Sequence, residues 1–435
     1  METVYSTKQV RKGNKLVLMF KYILAVAMLC VFINPGLSIV LGPLMAVIFS
    51  YLFFEDSFEF VAAIIITAND ALGTLVSSRL SFQYLLLGLL VLKALAMHKY
   101  STRRLVFLLI SSAFLLQLFV VGFISQKMLI NTMIYAFSIA SIDFEGNPKA
   151  VENFFKGIAF AVVLISIHAV LTGGVEYYEL DAAAKKSGEL IRKGVLGVGV
   201  GNANYSAILL NLGLVSLWYF TKLKTVLKVL CSLPILYSLI MASSVSGILY
   251  LAVILLTGIL LIKGKSKTVT VLVIVLAALV VFYNIYINLP SSMRFEQLDY
   301  LIMRVEEKYS AYVSGDFSQA TTGRSNLASA YLDYIFNKQD AFGVVFGGNP
   351  LIIKSISNRG THNTFINTLL QFGVLGTIAF FVLIIWRFIV CLKNKENPYR
   401  NVFTIFKVFF AVVGFGAGLY ANNLWMFWML ALVLL

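Results

Sequence analysis

The sequence has few charged residues, few prolines and few cysteines. The shortages of charge and of cysteine each exclude a class of protein. Charged residues make up 13% of the 435 residues, about half of the roughly 25% that is typical of soluble domains. A soluble globular enzyme and a disordered chain are therefore both excluded. Cys30, Cys231 and Cys391 are scattered and form no CxxC pair, so a disulfide framework is not expected.

Apolar residues make up 60% of the chain, enough for about a dozen membrane-crossing helices of roughly 20 residues each. Three features make the count uncertain by one or two: Asn69 and Asp70 make the run 58–78 a candidate re-entrant segment, the run 128–142 is short, and only residues 420–423 divide the last two runs. Twelve to fourteen spans are therefore predicted from the fourteen apolar runs. These runs are 16–34, 37–54, 58–78, 82–98, 104–123, 128–142, 153–173, 203–220, 226–242, 247–263, 269–288, 363–387, 402–418 and 422–435. We predict an all-α, polytopic integral membrane protein in which residues 1–435 form a single membrane domain.

The lysines and arginines orient these spans. With the N-terminus in the cytoplasm, the short outer loops contain only Arg79 and Lys127, whereas the inner loops are rich in basic residues. The two long polar segments, 174–202 and 289–361, then face outward and both termini face the cytoplasm. Each long segment is electrically neutral, so the net charge of +15 reflects the cytoplasmic loops and no nucleic-acid partner is expected.

The larger outer segment, 289–361, has a helical pattern. Apolar residues from Phe295 to Tyr312 recur at helical spacing opposite a charged face, which predicts an amphipathic helix on the membrane surface or across the bundle. A second helix is expected after Thr322, which is a suitable N-cap, so that Arg324 falls in its first turn. The apolar, turn-rich stretch 343–350 is a candidate for dipping back toward the membrane.

A histidine opens the span that follows. His362 precedes Asn363 at the outer end of this span, and the ordinary pKa of histidine, about 6.5, suits proton transfer near neutral pH. Gly373 and Gly376 in the same span allow close helix packing. His168 is the rival candidate, although its place within a span also suits a packing or hydrogen-bonding residue.

The shorter outer segment, 174–202, ends in a glycine-rich stretch. Its glycines leave backbone N–H groups accessible to a phosphate, and Arg192 adds a planar fork that matches two phosphate oxygens. This stretch is not a dinucleotide-binding fingerprint, because a membrane span follows it in place of a βαβ unit. Asn204 lies just beyond it, at the start of that span.

Several motifs are absent, and no metal or cofactor is expected. The chain contains no P-loop, no HExxH and no Asp-x-Asp pair, which argues against nucleotide hydrolysis and metal-dependent sugar-nucleotide transfer. The ionisable residues in or beside spans, such as Asp70 and Lys407, do not form the series across the membrane that a proton relay requires.

The order of these features resembles the bacterial O-antigen ligase and repeat-unit polymerase family. The resemblance covers roughly 190–385, and the N-terminal spans agree in number and character. Its matching residues are Arg192, Gly194, Asn204, Gly323, Arg324, Gly343, His362, Asn363, Gly373 and Gly376. The Ser-x-Ser-Arg turn that many members carry reads Ser244-Val245-Ser246-Gly247 here.

The resemblance implies a GT-C-like glycosyltransferase bundle in the cytoplasmic (inner) membrane, with its site at the outer face. The implied donor is an oligosaccharide on undecaprenyl diphosphate, the acceptor is another glycan, and a flippase and a chain-length regulator are candidate partners. Arg192 and Arg324 are expected to bind the diphosphate, with Asn204 and Asn363 also contacting substrate. His362 is expected to take the acceptor proton, and a single displacement predicts inversion.

Three functions remain open at this stage. The first is a surface-polysaccharide polymerase, whose acceptor is another lipid-linked glycan. The second is a ligase, which transfers the glycan to a cell-envelope anchor. The third is a transporter or flippase of lipid-linked oligosaccharides, for which internal repeats with helices interrupted near the membrane midplane would be typical. The polar residues gather at one face and in one long segment, which favours an enzyme.

Overall fold

The computed structural model describes much of the chain from residue 102 onward and a few shorter stretches before it. The described residues are 19, 23, 26–27, 58–68, 88, 102–120, 125–144, 147–172, 175–177, 193–195, 203–261, 265–321, 323–348, 363–416, 426–427 and 429–434. These residues are almost entirely helical. Among them, α4, α5 and α13, as bounded below, are long and apolar enough to cross a membrane.

The described elements are α-helices and one pair of short β-strands. In chain order they are α1 (Phe58–Thr67), α2 (Thr102–Val120), α3 (Gln126–Ala140), α4 (Pro148–Thr172), β1 (Val175–Tyr177), β2 (Lys193–Val195), α5 (Ala203–Phe220), α6 (Thr225–Met241), α7 (Val245–Leu260), α8 (Lys265–Ile287), α9 (Glu296–Val313), α10 (Phe317–Ala320), α11 (Arg324–Asp333), α12 (Ala341–Phe346), α13 (Thr364–Lys393) and α14 (Arg400–Gly416). Short π-helical turns cover Tyr334–Lys338 and Leu430–Leu434, and a single 3-10 turn covers Ser291–Met293.

Most apolar runs between 104 and 418 correspond closely to helices. The run 203–220 coincides with α5, and the run 226–242 is shifted by one residue from α6. The predicted amphipathic helix is also present, as α9. The first, second and fourth runs lie almost wholly outside the described residues, and so do Asn69 and Asp70 in the candidate re-entrant segment.

One short antiparallel pair of strands was not expected from the sequence. Strands β1 and β2 pair through Val175 with Val195, Glu176 with Gly194, and Tyr177 with Lys193. β1 comes shortly after α4 and β2 comes shortly before α5. The pairing therefore brings the two ends of the segment 174–202 together beside the bundle.

The bundle core is a layer of aromatic side chains between α4, α5 and α14. Phe155 stacks on Phe220 with ring centroids 4.3 Å apart and on Phe406 at 4.9 Å. Phe154 meets Phe155 edge to face at 5.5 Å. Stacked and edge-to-face rings contribute beyond the area that they bury, so these contacts hold together helices that are far apart in sequence.

A buried lysine joins α14 to the last described turn of the chain. Lys407 is 2% exposed, and its Nζ donates to the carbonyl of Ala431 at 2.8 Å. Carbonyl groups in a helical turn carry partial negative charge, which stabilises the buried ammonium. Lys407 is therefore a structural cation in this protein.

Contacts between helix termini define two opposite ends of the bundle. At one end, Glu152 near the start of α4 binds Lys222, which follows α5, and Tyr399, which precedes α14; we name it the Glu152 end. At the other end, Arg324 binds the carbonyl of Gly416, which is the last residue of α14; we name it the Arg324 end.

Candidate functional site

Three of the five residues predicted to form the site are described, and they belong to the Arg324 end. Asn204 lies in the first turn of α5, Arg324 is the first residue of α11, and Asn363 is the N-cap of α13. Arg192 and His362 lie outside the described residues, immediately before β2 and immediately before Asn363 in the sequence.

A buried serine turn between α6 and α7 holds Asn204. Ser244 Oγ donates to Asn204 Oδ1 at 2.7 Å and accepts from the N–H of Gly247 at 3.0 Å, so it also caps α7. Ser243 precedes it with φ of 47°, the one positive φ at a non-glycine residue in the described part of the chain. Both serines are fully buried. A strained turn with buried hydroxyls is a feature that concentrates at functional sites.

Arg324 reaches across this end of the bundle to α14. Its Nη1 donates to the carbonyl of Gly416 at 2.8 Å, a contact between residues 92 positions apart in sequence. The predicted position of Arg324 in the first turn of a helix is confirmed, but the predicted cap is wrong. The cap residue is Gly323, and it is the Thr321 hydroxyl that accepts from the Ser325 N–H at 3.0 Å. Thr322 itself lies outside the described residues.

Two tyrosines lie within electrostatic range of the guanidinium of Arg324. Its charge is close enough to the hydroxyls of Tyr205 and Tyr250 to interact with both electrostatically. Tyr250 is 1% exposed, and a Cβ on Gly416 would lie 2.7 Å from its Oη. Within the described residues that hydroxyl has no hydrogen-bond partner. A buried hydroxyl without a partner costs about 1–3 kcal/mol, so this one is placed at a cost to stability.

The start of α13 packs against the end of α14, next to Gly416. The ring of Phe365 lies 4.4 Å from that of Phe415, the residue before Gly416. Asn363 Oδ1 accepts from the N–H groups of Phe365 and Ile366 at 2.9 and 3.1 Å. The side-chain oxygen of Asn363 therefore caps α13, which gives this residue a structural role beside the predicted role in substrate binding.

α13 is broken at Gly373, and α12 packs into the break. Gly373 has φ of 63°, which only glycine adopts readily, and a Cβ there would collide with the backbone of Val345. The N–H of Gly348 donates to the carbonyl of Leu370 at 2.9 Å, just before the break. The expected close approach at Gly373 is thus made by the stretch after α12, which packs back against α13.

An apolar cavity opens beside the serine turn. It has a volume of about 740 Å³ and lies between α6, α7, α8 and α9. Leu239 lines it and also approaches Gly247 in the first turn of α7. Two of its lining residues, Tyr283 and Glu306, are hydrogen-bonded to each other at 2.8 Å. A lipid-sized apolar space therefore adjoins the polar cluster at the Arg324 end.

His168, the rival histidine, also belongs to the Arg324 end. It lies in α4, one turn before the end of that helix, and it is partly buried and not fully enclosed by the bundle. In space, the end of α4 lies near the start of α5. His168 therefore lies in the same half of the bundle as Asn204.

The Glu152 end contains cations of a different kind. Lys156 and Lys222 both contact Glu152 Oε2, at 2.8 and 3.5 Å, and the Tyr399 hydroxyl donates to Oε1 at 3.0 Å. Burial, together with this hydrogen bond, raises the pKa of Tyr399 to about 12. The cluster joins α4, the end of α5 and the start of α14, so its role is structural at least in part.

Tyr205, Tyr250, Ser243 and Gly416 were not predicted as site residues. Tyr205 follows Asn204, and Ser243 precedes the stretch Ser244-Val245-Ser246-Gly247. These neighbours could have identified both residues from the sequence. Tyr250 and Gly416 gave no such signal, because a tyrosine and a glycine in apolar helices are usual packing residues. Only the contact between α7 and α14 brings them to Arg324.

Comparison of the chain with protein-family models, curated proteins and solved structures found no match. The relation to the O-antigen ligase and polymerase family therefore stays a resemblance carried by the residues quoted above.

Proposed function

We propose that this protein is a metal-independent, inverting glycosyltransferase that polymerises oligosaccharide repeat units linked to undecaprenyl diphosphate. In this proposal the chain crosses the cytoplasmic membrane twelve to fourteen times as a GT-C-like bundle with both termini inside. The Arg324 end then faces outward and receives the substrates.

The observation that supports this most is the position of Arg324. A neutral polar segment of about 70 residues supplies one arginine that reaches the end of α14, beside Tyr205 and Tyr250. At this place the arginine is held by a carbonyl oxygen, and the tyrosine hydroxyls lie within electrostatic range of its charge. A guanidinium has five N–H donors, so the Gly416 carbonyl orients the group and leaves donors for the oxygens of an anion.

The proposed chemistry requires an anion site of this kind. The acceptor hydroxyl oxygen forms a bond to the anomeric carbon while the bond from that carbon to the diphosphate oxygen breaks. The bonding electrons leave with the diphosphate, and the acceptor proton passes to His362. Arg324 and Arg192 stabilise the growing negative charge, and one well-placed donor is worth about 2.7–4 kcal/mol in such a role.

The apolar cavity supports an amphipathic donor. A diphosphate attached to a polyprenyl chain has a charged part and a long apolar part. The cavity of about 740 Å³ adjoins the serine turn that holds Asn204, so both parts of such a molecule find a suitable surface at one end of the bundle.

The test is turnover by the purified protein in detergent. Synthetic lipid-linked repeat units are added alone or together with a cell-envelope acceptor, and products are separated by length. A ladder of products spaced by one repeat unit is expected. A single addition to a different cell-envelope acceptor would identify a ligase instead, and no product with either acceptor would remove the enzymatic proposal.

A transporter of lipid-linked oligosaccharides is the second candidate, and the break in α13 favours it. Gly373 lies nine residues after Thr364, or about 14 Å along the helix at 1.5 Å per residue, near the middle of a hydrocarbon core roughly 30 Å thick. Gln371 beside it is buried, and within the described residues its side-chain amide has no partner. Proteoliposomes that contain labelled lipid-linked oligosaccharide distinguish a transporter from a glycosyltransferase, because a transporter moves the label between leaflets without changing glycan length.

A further inference from the structure

A second cavity, at the Glu152 end, combines apolar walls with lysines. It has a volume of about 480 Å³, which is within the range of about 300–1,000 Å³ that is usual for small-molecule sites. It lies between α1, α4, α5 and α6, on the opposite end of the bundle from Arg324. Its lining residues are Phe60, Lys156, Ala159, Phe160, Val163, Leu217, Thr221, Lys222, Leu223 and Cys231.

The charged groups at this cavity are not balanced. Lys156 and Lys222 share the single carboxylate of Glu152, and Glu152 itself does not line the cavity. Lys224 and Lys228 follow within six residues of Lys222, and no acidic residue lies between them. The cavity mouth therefore has an excess of positive charge.

The two lysines that line the cavity differ in exposure. The Lys156 side chain is 24% exposed and is fixed by its ion pair at 2.8 Å, whereas the Lys222 side chain is 82% exposed. A fixed ammonium at the edge of an apolar cleft and an exposed one beside it suit a phosphate group that lies at the membrane surface. The deeper residues, among them Ala159 and Val163, offer only apolar contacts.

We propose that this cavity binds one anionic glycerophospholipid of the adjacent leaflet, with its phosphate on Lys156 and Lys222 and an acyl chain in the cleft. Charge complementarity selects the anionic headgroup, because a zwitterionic lipid carries a cation of its own that the lysines repel. The apolar walls select a lipid over free phosphate. The site lies apart from the proposed glycosyl-transfer site, and its test requires no turnover.

The test uses the full-length protein purified in neutral detergent, with dioleoylphosphatidylglycerol and dioleoylphosphatidylcholine as probes. Bound lipid is counted by native mass spectrometry. Retention of phosphatidylglycerol is expected to exceed that of phosphatidylcholine at least tenfold. Lys156→Gln and Lys222→Gln should each lower phosphatidylglycerol retention about fivefold, the effect of one lysine near a membrane surface.

Two further variants distinguish a specific lipid-binding site from general electrostatic attraction between lysines and anionic lipid. Lys224→Gln removes an equal charge near the mouth of the cavity without lining it, and it should lower retention less than twofold. Val163→Phe adds side-chain volume at a partly exposed position that lines the cleft without changing charge. It should lower retention at least fivefold, which distinguishes loss of the acyl-chain space from an effect of breaking the Lys156 ion pair. Inorganic phosphate at 10 mM should not displace the lipid.

Four results would overturn the proposal. They are equal retention of the two lipids, unchanged retention in the Lys156→Gln and Lys222→Gln variants, a loss in Lys224→Gln as large as that in Lys222→Gln, and displacement by inorganic phosphate. The last of these would identify a site for the free anion.

Discussion

The two ends of the bundle hold their cations in opposite ways. At the Glu152 end, Lys156 and Lys222 contact a carboxylate. At the Arg324 end, the guanidinium contacts a carbonyl oxygen, and tyrosine hydroxyls lie within electrostatic range of it. A carboxylate neutralises most of a cation's charge, whereas a carbonyl only orients it. The comparison indicates that the carboxylate at the first end joins helices and offsets only one of two lysine charges, whereas the second end keeps the whole charge of its arginine available for an anion.

The largest expected effect is at His362, which the sequence assigns to the Arg324 end. His362→Ala should lower polymer formation by about 10²–10⁴, the usual contribution of a general base, while donor binding and membrane insertion stay intact. Polymer formation from purified lipid-linked donor measures this, with size-exclusion elution as the folding check. His168→Ala is the matched control and should cost less than threefold. If the two variants lose activity equally, the base assignment to His362 is wrong.

Arg324 is expected to have the next largest effect. Arg324→Ala should lower turnover by about 10²–10³, and Arg324→Lys should be nearly as damaging, because an ammonium cannot reproduce the planar fork. Donor affinity, measured without acceptor, should also weaken. Arg294, which lies in the same segment and pairs with Asp299 at 3.8 Å, is the control, and Arg294→Lys should behave as wild type. Unchanged donor affinity in both Arg324 variants would remove this residue from the anion site.

Tyr250→Phe tests whether the hydroxyl beside Arg324 serves the substrate. This change removes one oxygen from a side chain that is otherwise fully packed. Since that hydroxyl has no partner within the described residues, thermal stability should stay the same or rise, while turnover should fall about tenfold. A lower melting temperature with full turnover would mean that the hydroxyl serves packing only.

Glu152→Gln should give the smallest effect on activity and a clear effect on stability. The change removes the negative charge that pairs with Lys156 and Lys222 and that accepts a hydrogen bond from Tyr399. For partly buried contacts of this kind, the free energy of unfolding falls by about 1–2 kcal/mol. Thermal unfolding in detergent measures it, and turnover at 25 °C should stay within twofold of wild type. A large loss of turnover in a variant that remains folded would contradict the division between the two ends.

The sequence by itself determined the helices and their approximate bounds. Segments such as 203–220 and 226–242 are helical because apolar stretches with few glycines and prolines satisfy their backbone hydrogen bonds internally. Arg324 and Asn363 were placed at helix starts from the sequence alone, and the structure confirms both positions. The substrate-binding roles of Asn204, Arg324 and Asn363 come from the family resemblance and stay predictions.

Only the tertiary structure decided which of these residues meet. The contact between Arg324 and Gly416 joins positions 92 residues apart, and no local pattern encodes a contact of that separation. Tyr250 reaches the same place because α7 packs against α14, which depends on the shapes of two helix faces and not on periodicity. The close packing of the residues after α12 against the break at Gly373 and the strained turn at Ser243 arise in the same way, since backbone strain persists only where the surrounding packing enforces it.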